Sequence, residues 1–319
     1  MKKYLKSVLI VVLVFVMTGA APVMASFPED NLTVIIPWGA GGRTDIAARV
    51  WAPFLEQELG QTVIVSNLPG AGGVSGSNAL IRETPDGYTF GVLSISLNLA
   101  QWTKIPPFEM HRLEPVCMIF ASPMSLTVSA DSPWETLQDY LDYVEANPGT
   151  VLHSASGSGT SQHVISAAFH RTAGLDVIFV PYDGDGPAAL AVANKEVQAA
   201  GSPMIALGPY LEAEEIRVLG LSSPQRSPLF PDIPTFREQG IDFALESFDG
   251  IYVPEGTSED VIKVLEEAFG RMAENPEFIE AMHQIYYEVA FMPRAEFTEF
   301  LDETNAMLEE VVDDLGLKL

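Results

Sequence analysis

"LTVIIPWGAGGRTDIAARV", residues 32–50, decides the fold. Its opening run, Leu32–Ile36, is apolar and rich in β-branched residues, as suits a strand buried on both faces. The loop "PWGAGGRTD" (37–45) follows, with three glycines, a lone arginine and a Thr-Asp pair. Beyond it, "TDIAARVWAPFLEQELG" has a helical period. Ile46, Val50 and Phe54, with Ala47, Trp51 and Leu55, form one apolar face, and Gly60 suits a left-handed end. Pro53 falls inside this helix and should kink it or end it early. Thr44 and Asp45 are expected to cap the helix start, and Asp45 to steady the loop by accepting backbone N–H bonds. A strand that opens through glycines into a helix aims free N–H groups at whatever lies beyond it. An anion is the natural guest.

The unit recurs. "TVIVSN" (62–67) and "YTFGVLSIS" (88–96) read as further strands, and "VLHSAS" (151–156), "VIFVPY" (177–182), "VQAAGSP" and "IRVLGLSS" form a second series with helices between them. Pro187 opens one of those helices. Repeated strand–helix units imply an α/β protein with mostly parallel sheets, covered by helices on both faces. Two long strand-like stretches, 114–130 and 246–258, read as crossings between the halves. The C-terminal part is mostly helical, with one strand in "IYYEVAFMP" and a last amphipathic helix from about Arg294. The expected organisation is a signal segment at 1–25 and two lobes, one of residues 26–121 and 248–319, the other of 122–247. A cleft separates the lobes.

At the N-terminus, Lys2, Lys3 and Lys6 precede the apolar stretch Val8–Met17, and "VMA" ends at Ala25. That is the pattern of a secretory signal cleaved after Ala25. The alternative is a retained anchor, for which the apolar run is short. The formal charge is −26, and removal of the segment makes it −29. Nucleic acid is excluded as a partner, because its binding rests on basic surface. A small anion is not excluded, since a local nest of N–H groups outweighs a distant acidic surface. Cys117, the only cysteine, lies in the strand-like "PVCMIF" and reads as a core thiol rather than a nucleophile.

"GAGG" occurs at 39–42 and again at 70–73, and "SGSGTS" follows a strand at 156–161. One such loop is most simply a turn. Three at equivalent strand ends point to a site, since open α/β sheets bind ligands beyond the carboxyl ends of their strands. Dinucleotide and P-loop signatures fail: G-x-G-x-x-G would need glycine at Thr44, Ser75, Gln162 or Ala189. No nucleophile elbow occurs. The five histidines (His111, His153, His163, His170, His283) show no metal-binding spacing, so neither metal nor cofactor is expected. His163, beside Ser158 and Ser161, is the only seed of a Ser/His hydrolase; its other reading is a helix-surface or capping residue. Arg43 is either a bidentate clamp for a carboxylate or a solvent-facing partner for the acidic surface.

Seven stretches then align in order with one family: "VIIPWGAGGRTDIAARV", "LGQTVIVSNLPGAGGVSGSNAL", "TPDGYTF", "HSASGSGTSQHV", "VPYDGDGPAALAVANKEVQAA", "FPDIPTFREQG" and "GIYVPEGTSEDVI". In these the chain resembles the extracytoplasmic solute receptors of tripartite tricarboxylate transporters, the TctC-like or Bug proteins. The resemblance implies a two-lobed periplasmic binding protein of the type II, Venus-flytrap kind. It would be a non-enzymatic monomer that captures a small organic anion, in this family mostly a mono-, di- or tricarboxylate and in some members an aromatic or amino acid, and delivers it to a permease of one large and one small membrane subunit. A ligand-presenting sensor would use the same fold. In the first loop the candidate contacts are Trp38, Ala40, Gly41, Gly42, Arg43, Thr44 and Asp45. Ala71 comes from the second, and Ser158, Gly159 and Thr160 come from the third. Ser94, Tyr182 and Ser202 are candidate walls. Three positions depart from the family pattern. Arg43 stands where a small residue or proline is usual, and would favour a dianion. Leu68 replaces a usual arginine, and Pro53 is unusual.

Overall fold

The computed structural model describes residues 27–103 and 108–318; the expected signal segment, 1–25, lies outside the described residues. β1 (Leu32–Ile36) leads into α1 (Arg43–Leu59), then β2 (Val63–Asn67), α2 (Val74–Leu80), β3 (Thr89–Ser94) and α3 (Ile95–Thr103). β4 (Leu113–Ser122) passes through Pro123 directly into β5 (Met124–Ser129). Next come α4 (Leu137–Ala146), β6 (Leu152–Ala155), α5 (Ser161–Thr172), β7 (Ile178–Pro181), α6 (Asp185–Ala193), β8 (Ala199–Pro203), α7 (Met204–Glu212) and β9 (Ile216–Leu221). β10 (Ser247–Pro254), α8 (Glu259–Ala273), α9 (Pro276–His283), β11 (Glu288–Pro293) and α10 (Arg294–Asp314) complete the chain.

Two sheets result, ordered β11-β4-β10-β3-β1-β2 and β7-β6-β8-β5-β9. β1 pairs parallel with β2 and β3, and β6 parallel with β7 and β8. The remaining pairings, which involve β4, β5, β10 and β11, are antiparallel. The sheets are therefore mixed, a correction to the mostly parallel sheets expected. A parallel neighbour needs a crossover helix. β5 and β10 bring the chain in from the other sheet without such a helix and run against their neighbours, and β11, which follows α9, does so too.

On one face of the first sheet, α1, α8 and α9 bury a core around Trp51, whose ring meets Phe90 and Phe269 at centroid distances of 6.5 and 5.7 Å. α10 covers the other face: a Cβ on Gly250 of β10 would come within 2.4 Å of the Phe297 ring, so only glycine admits this contact. In α1 the buried residues are Thr44, Asp45, Ala47, Ala48, Trp51, Ala52 and Leu55. Ile46 is 40% exposed, so the apolar face is rotated from the one expected. Pro53 neither ends the helix nor shortens it. It lies on the exposed side of the helix. Gly60 closes the helix at φ 70°, as its position implies. The helices α3 and α7 are additions to the sequence reading. Each starts at the residue after a strand, Ser94 and Pro203, with no turn signal between. Cys117 is fully buried in β4, and burial pushes its thiol pKa up.

Candidate functional site

Four helices, α1, α3, α5 and α6, begin just beyond the carboxyl ends of β1, β3, β6 and β7. Their first turns surround one cavity of about 310 Å³, within the size range of small-molecule sites. Trp38, Gly42, Arg43, Thr44, Ser94 and Ser96 line it from the side of the first sheet. Ser156, Thr160, Ser161, Gln162, Gly184 and Asp185 line it from the side of the second. A hydrogen bond spans the two sides, Ser96 Oγ to Ser161 Oγ at 3.3 Å. Each helix start brings unpaired N–H groups and the positive end of its dipole. Four such ends make an anion-attracting floor with little help from charged side chains.

Local chemistry holds the loops in place. Gly41 turns at φ 79°, and its N–H donates to Asp45 Oδ2 at 2.8 Å, so Asp45 steadies the loop as expected. Arg49 binds the same carboxylate, at 3.1 Å from Nε and 2.9 Å from Nη2. Burial pushes the Asp45 pKa up, but the bonds from Arg49 and Gly41 outweigh it and hold the carboxyl below its usual range. Thr44 and Asp45 do not cap α1, however: Gly42 occupies the cap with no side-chain bond, and both residues sit inside the first turn. At α5, Thr160 accepts from the His163 N–H at 3.3 Å, and His163 Nδ1 accepts from the Gly159 N–H at 3.1 Å. His163 is thus a loop-fixing residue packed on Phe179, at a centroid distance of 4.8 Å. Its Nδ1 is already engaged, and the hydroxyls of Ser161 and Ser156 donate to Gln162 Oε1 at 2.8 and 3.2 Å. Among the described residues no hydrogen bond joins His163 to Ser158 or Ser161, the pair that the Ser/His hydrolase reading names.

Arg43 lines the cavity but is neither a free clamp nor a partner for the acidic surface. Its Nη2 donates to Asp249 Oδ1 at 3.1 Å, and its guanidinium lies 5.4 Å from the centroid of the Tyr287 ring. Asp249 is 1% exposed and also accepts from the Tyr287 hydroxyl at 3.0 Å. Burial works against the guanidinium charge, but the fields of Asp249, Tyr287 and Asp185 more than offset it, so Arg43 stays protonated. Asp185, at the start of α6, is the one acidic residue of the wall. Burial raises its pKa, partly opposed by the Ser156 hydroxyl and by Arg43. Its Oδ1 is buried with no hydrogen-bond partner among the described residues.

Of the sequence candidates, Trp38, Gly42, Arg43, Thr44, Ser94 and Thr160 meet at the cavity. The others lie elsewhere. Ala40, Gly41, Ala71 and Ser158 sit at exposed loop positions. Asp45 is turned inward to Arg49, and Gly159 is tied to His163. Tyr182 packs beside the core under α6 and α7. Ser202 is wholly buried in β8, its carbonyl accepting from Ser125 Oγ at 2.9 Å. The second GAGG loop serves the site indirectly: a Cβ on Gly73 would sit 3.3 Å from the Trp38 indole, so the loop carries that ring. Ser96, Ser156, Ser161, Gln162, Gly184 and Asp185 were missed as individual contacts. Their signal was present for three of the four helices, in the polar residues that follow each strand end. Among the described residues no group of three His, Cys, Asp or Glu side chains could hold a metal, and no helix is long and apolar enough to cross a membrane.

Residues 47–317 match the family described as "Tripartite tricarboxylate transporter family receptor". Protein BugT of Bordetella pertussis is 31% identical over 281 residues, which cover 86% of each chain. A TctC solute-binding protein from Polaromonas superposes with a TM-score of 0.80 at 25% identity, over 90% of this chain and 99% of its own. MatC from Rhodopseudomonas palustris, solved with bound malate, superposes with a TM-score of 0.72 at 25% identity, over 90% of this chain and all of its own.

Proposed function

Because the chain belongs to the tripartite tricarboxylate transporter receptor family, we propose that it is a periplasmic receptor that captures a small organic carboxylate in the cavity between its two sheets. The observation that carries this reading is the convergence of four helix N-termini on one polar cavity with hydroxyl and amide walls. A carboxylate there accepts from the first-turn N–H groups of α1 and α5 and from the hydroxyl of Ser94, which lines the cavity. Malate bound to MatC, a neighbour of this fold, agrees with that chemistry.

The two sheets act as lobes, residues 26–121 with 248–319 forming one and 122–247 the other. They hinge where β4 passes into β5 and where the chain returns to β10. Binding then joins donors from both lobes, so the closed form alone completes the contact set. The N-terminal segment directs export and is removed near Ala25. The exported monomer hands its ligand to a permease of one large and one small subunit, and no catalytic step is assigned to it.

A thermal-shift screen of the exported protein against mono-, di- and tricarboxylates tests the reading. A ligand at 100 times its dissociation constant adds about 2.7 kcal/mol of stability. No shift from any carboxylate, in a protein that melts cooperatively, overturns it.

A further inference from the structure

The wall carries a feature that a simple carboxylate leaves unanswered. Asp185 presents an acceptor group to the cavity, and its Oδ1 is buried without a donor among the described residues. A buried carboxylate oxygen left so is costly, because water no longer solvates it. Arg43 is the cation on the opposite wall, but it is paired with Asp249 at 3.1 Å. The charged side chains at the cavity and directly behind it are therefore one guanidinium and two carboxylates, one negative charge in excess. The four helix starts, each worth roughly half a positive charge, turn the whole only modestly positive. A ligand of low net charge suits such a site. One bearing several carboxylates and no cation would set a carboxylate against Asp185.

Resting on the carboxylate-receptor reading, we infer that the ligand is an amino-carboxylate: its carboxylate meets the N-termini of α1 and α5, and its ammonium meets the Asp185 carboxylate at the start of α6. The α1 start lies on the first-sheet side of the cavity and the α5 start and Asp185 on the second, so a ligand whose carboxylate reaches α1 while its ammonium meets Asp185 ties the sides together. Asp185 is then a specificity residue, and it makes the dianion preference read from Arg43 alone unnecessary.

Calorimetry at pH 7.5 on the exported protein tests this with matched pairs: 4-aminobutyrate and butyrate, L-alanine and propionate, L-glutamate and glutarate. The expected result is that, in at least one pair, the amino member binds ten-fold or more tightly than its partner. Asp185→Asn then weakens that amino member roughly 10- to 100-fold. It leaves the des-amino partner as it was, or tighter. Asp185→Ser, with the same effect, guards against a fault specific to one substitution. Equal or tighter binding of the des-amino acids, unchanged in both variants, overturns the inference and leaves the carboxylate reading intact. So does tight glutarate binding that takes up a proton, seen as a dependence on buffer ionisation enthalpy, because Asp185 would then be a neutral donor. Binding of neither set, at a normal melting temperature, overturns the inference, and the carboxylate reading falls with it only if the wider thermal-shift screen also gives no shift.

Discussion

Replacing Arg43 with alanine separates a structural cation from a ligand-binding one. The guanidinium bonds Asp249 at 3.1 Å and lies 5.4 Å from the Tyr287 ring centroid. Asp249 is 1% exposed, with the Tyr287 hydroxyl as its other donor, at 3.0 Å. Removing one member of a buried ion pair costs about 3–5 kcal/mol, mostly because the remaining charge is stranded. The Arg43 side chain is 18% exposed, so water can partly replace it, and the lower end applies. Arg43→Ala should therefore cost about 3 kcal/mol, several degrees of melting temperature for a chain of this size. Asp249→Asn alone strands the guanidinium less severely, because that group reaches the cavity and its solvent.

Urea denaturation at pH 7 without ligand, on the two single variants and the double, closes a thermodynamic cycle. The double variant Arg43→Ala, Asp249→Asn should recover about half of the loss of Arg43→Ala, giving a coupling energy of about 1.5–3 kcal/mol. Additive costs, or single costs below about 1 kcal/mol, would refute the assignment of Arg43 to Asp249. If Arg43→Ala instead leaves stability intact and abolishes ligand binding, the cation works for the ligand and the charge count around the cavity must be redrawn.

A Cβ on Gly76 would come within 2.4 Å of the Leu68 carbonyl and 2.8 Å of Pro37 Cα, backbone that cannot swing aside. Gly76→Ala should cost about 2 kcal/mol or more in thermal unfolding. It should also weaken ligand binding, because Pro37 leads into Trp38; an unchanged melting temperature would show that α2 can move. Pro53→Ala, on the exposed side of α1, should stabilise by about 1–2 kcal/mol, the gained helical bond being partly offset by a freer unfolded chain. A loss of stability in urea would mean that the ring is packed. His170 engages Ser166 O and the Tyr140 hydroxyl, each at 2.7 Å, and burial pushes its pKa down to about 4 from 6.5. The unfolded chain therefore binds the extra proton first. The contribution of this histidine to stability is full above about pH 6.5 and is lost, by up to about 3 kcal/mol, as the pH drops to 4. His170→Gln should flatten that stretch of the stability–pH curve, and an equally steep curve would exclude His170 as its source.

The frame of the molecule was legible because its signals are local. Leu32–Ile36 has four aliphatic residues and only Thr33 between them, which reads as an interior strand, and Gly60 marks the end of α1 without reference to anything distant. The third Gly-rich loop showed where α5 begins, and Pro187 marked the first turn of α6. The mixed strand directions were not legible: β10 reads identically whichever way its neighbours run. Helix α3 was hidden for a related reason. β3 passes into it without a turn, and the apolar residues Ile95, Leu97 and Leu99 satisfy a strand's alternation as well as a buried helix.

The site was legible in outline and misread at its charges, and the cause is separation along the chain. Arg43 stands alone in its loop, so the sequence offers it either solvent or a ligand. Its partner is 206 residues away, in a strand that enters the first sheet only after the chain has built the second. Asp185 is the converse case. An acid in the first turn of a helix ordinarily serves the dipole and needs no further explanation. Here the fold sets that first turn against three others, all positive, around a cavity just large enough for a small acid. Among those helix starts a carboxylate works against anion binding unless the guest brings a cation to meet it. The residue least conspicuous in the sequence thus discriminates most between kinds of ligand, and it does so through its place in the fold.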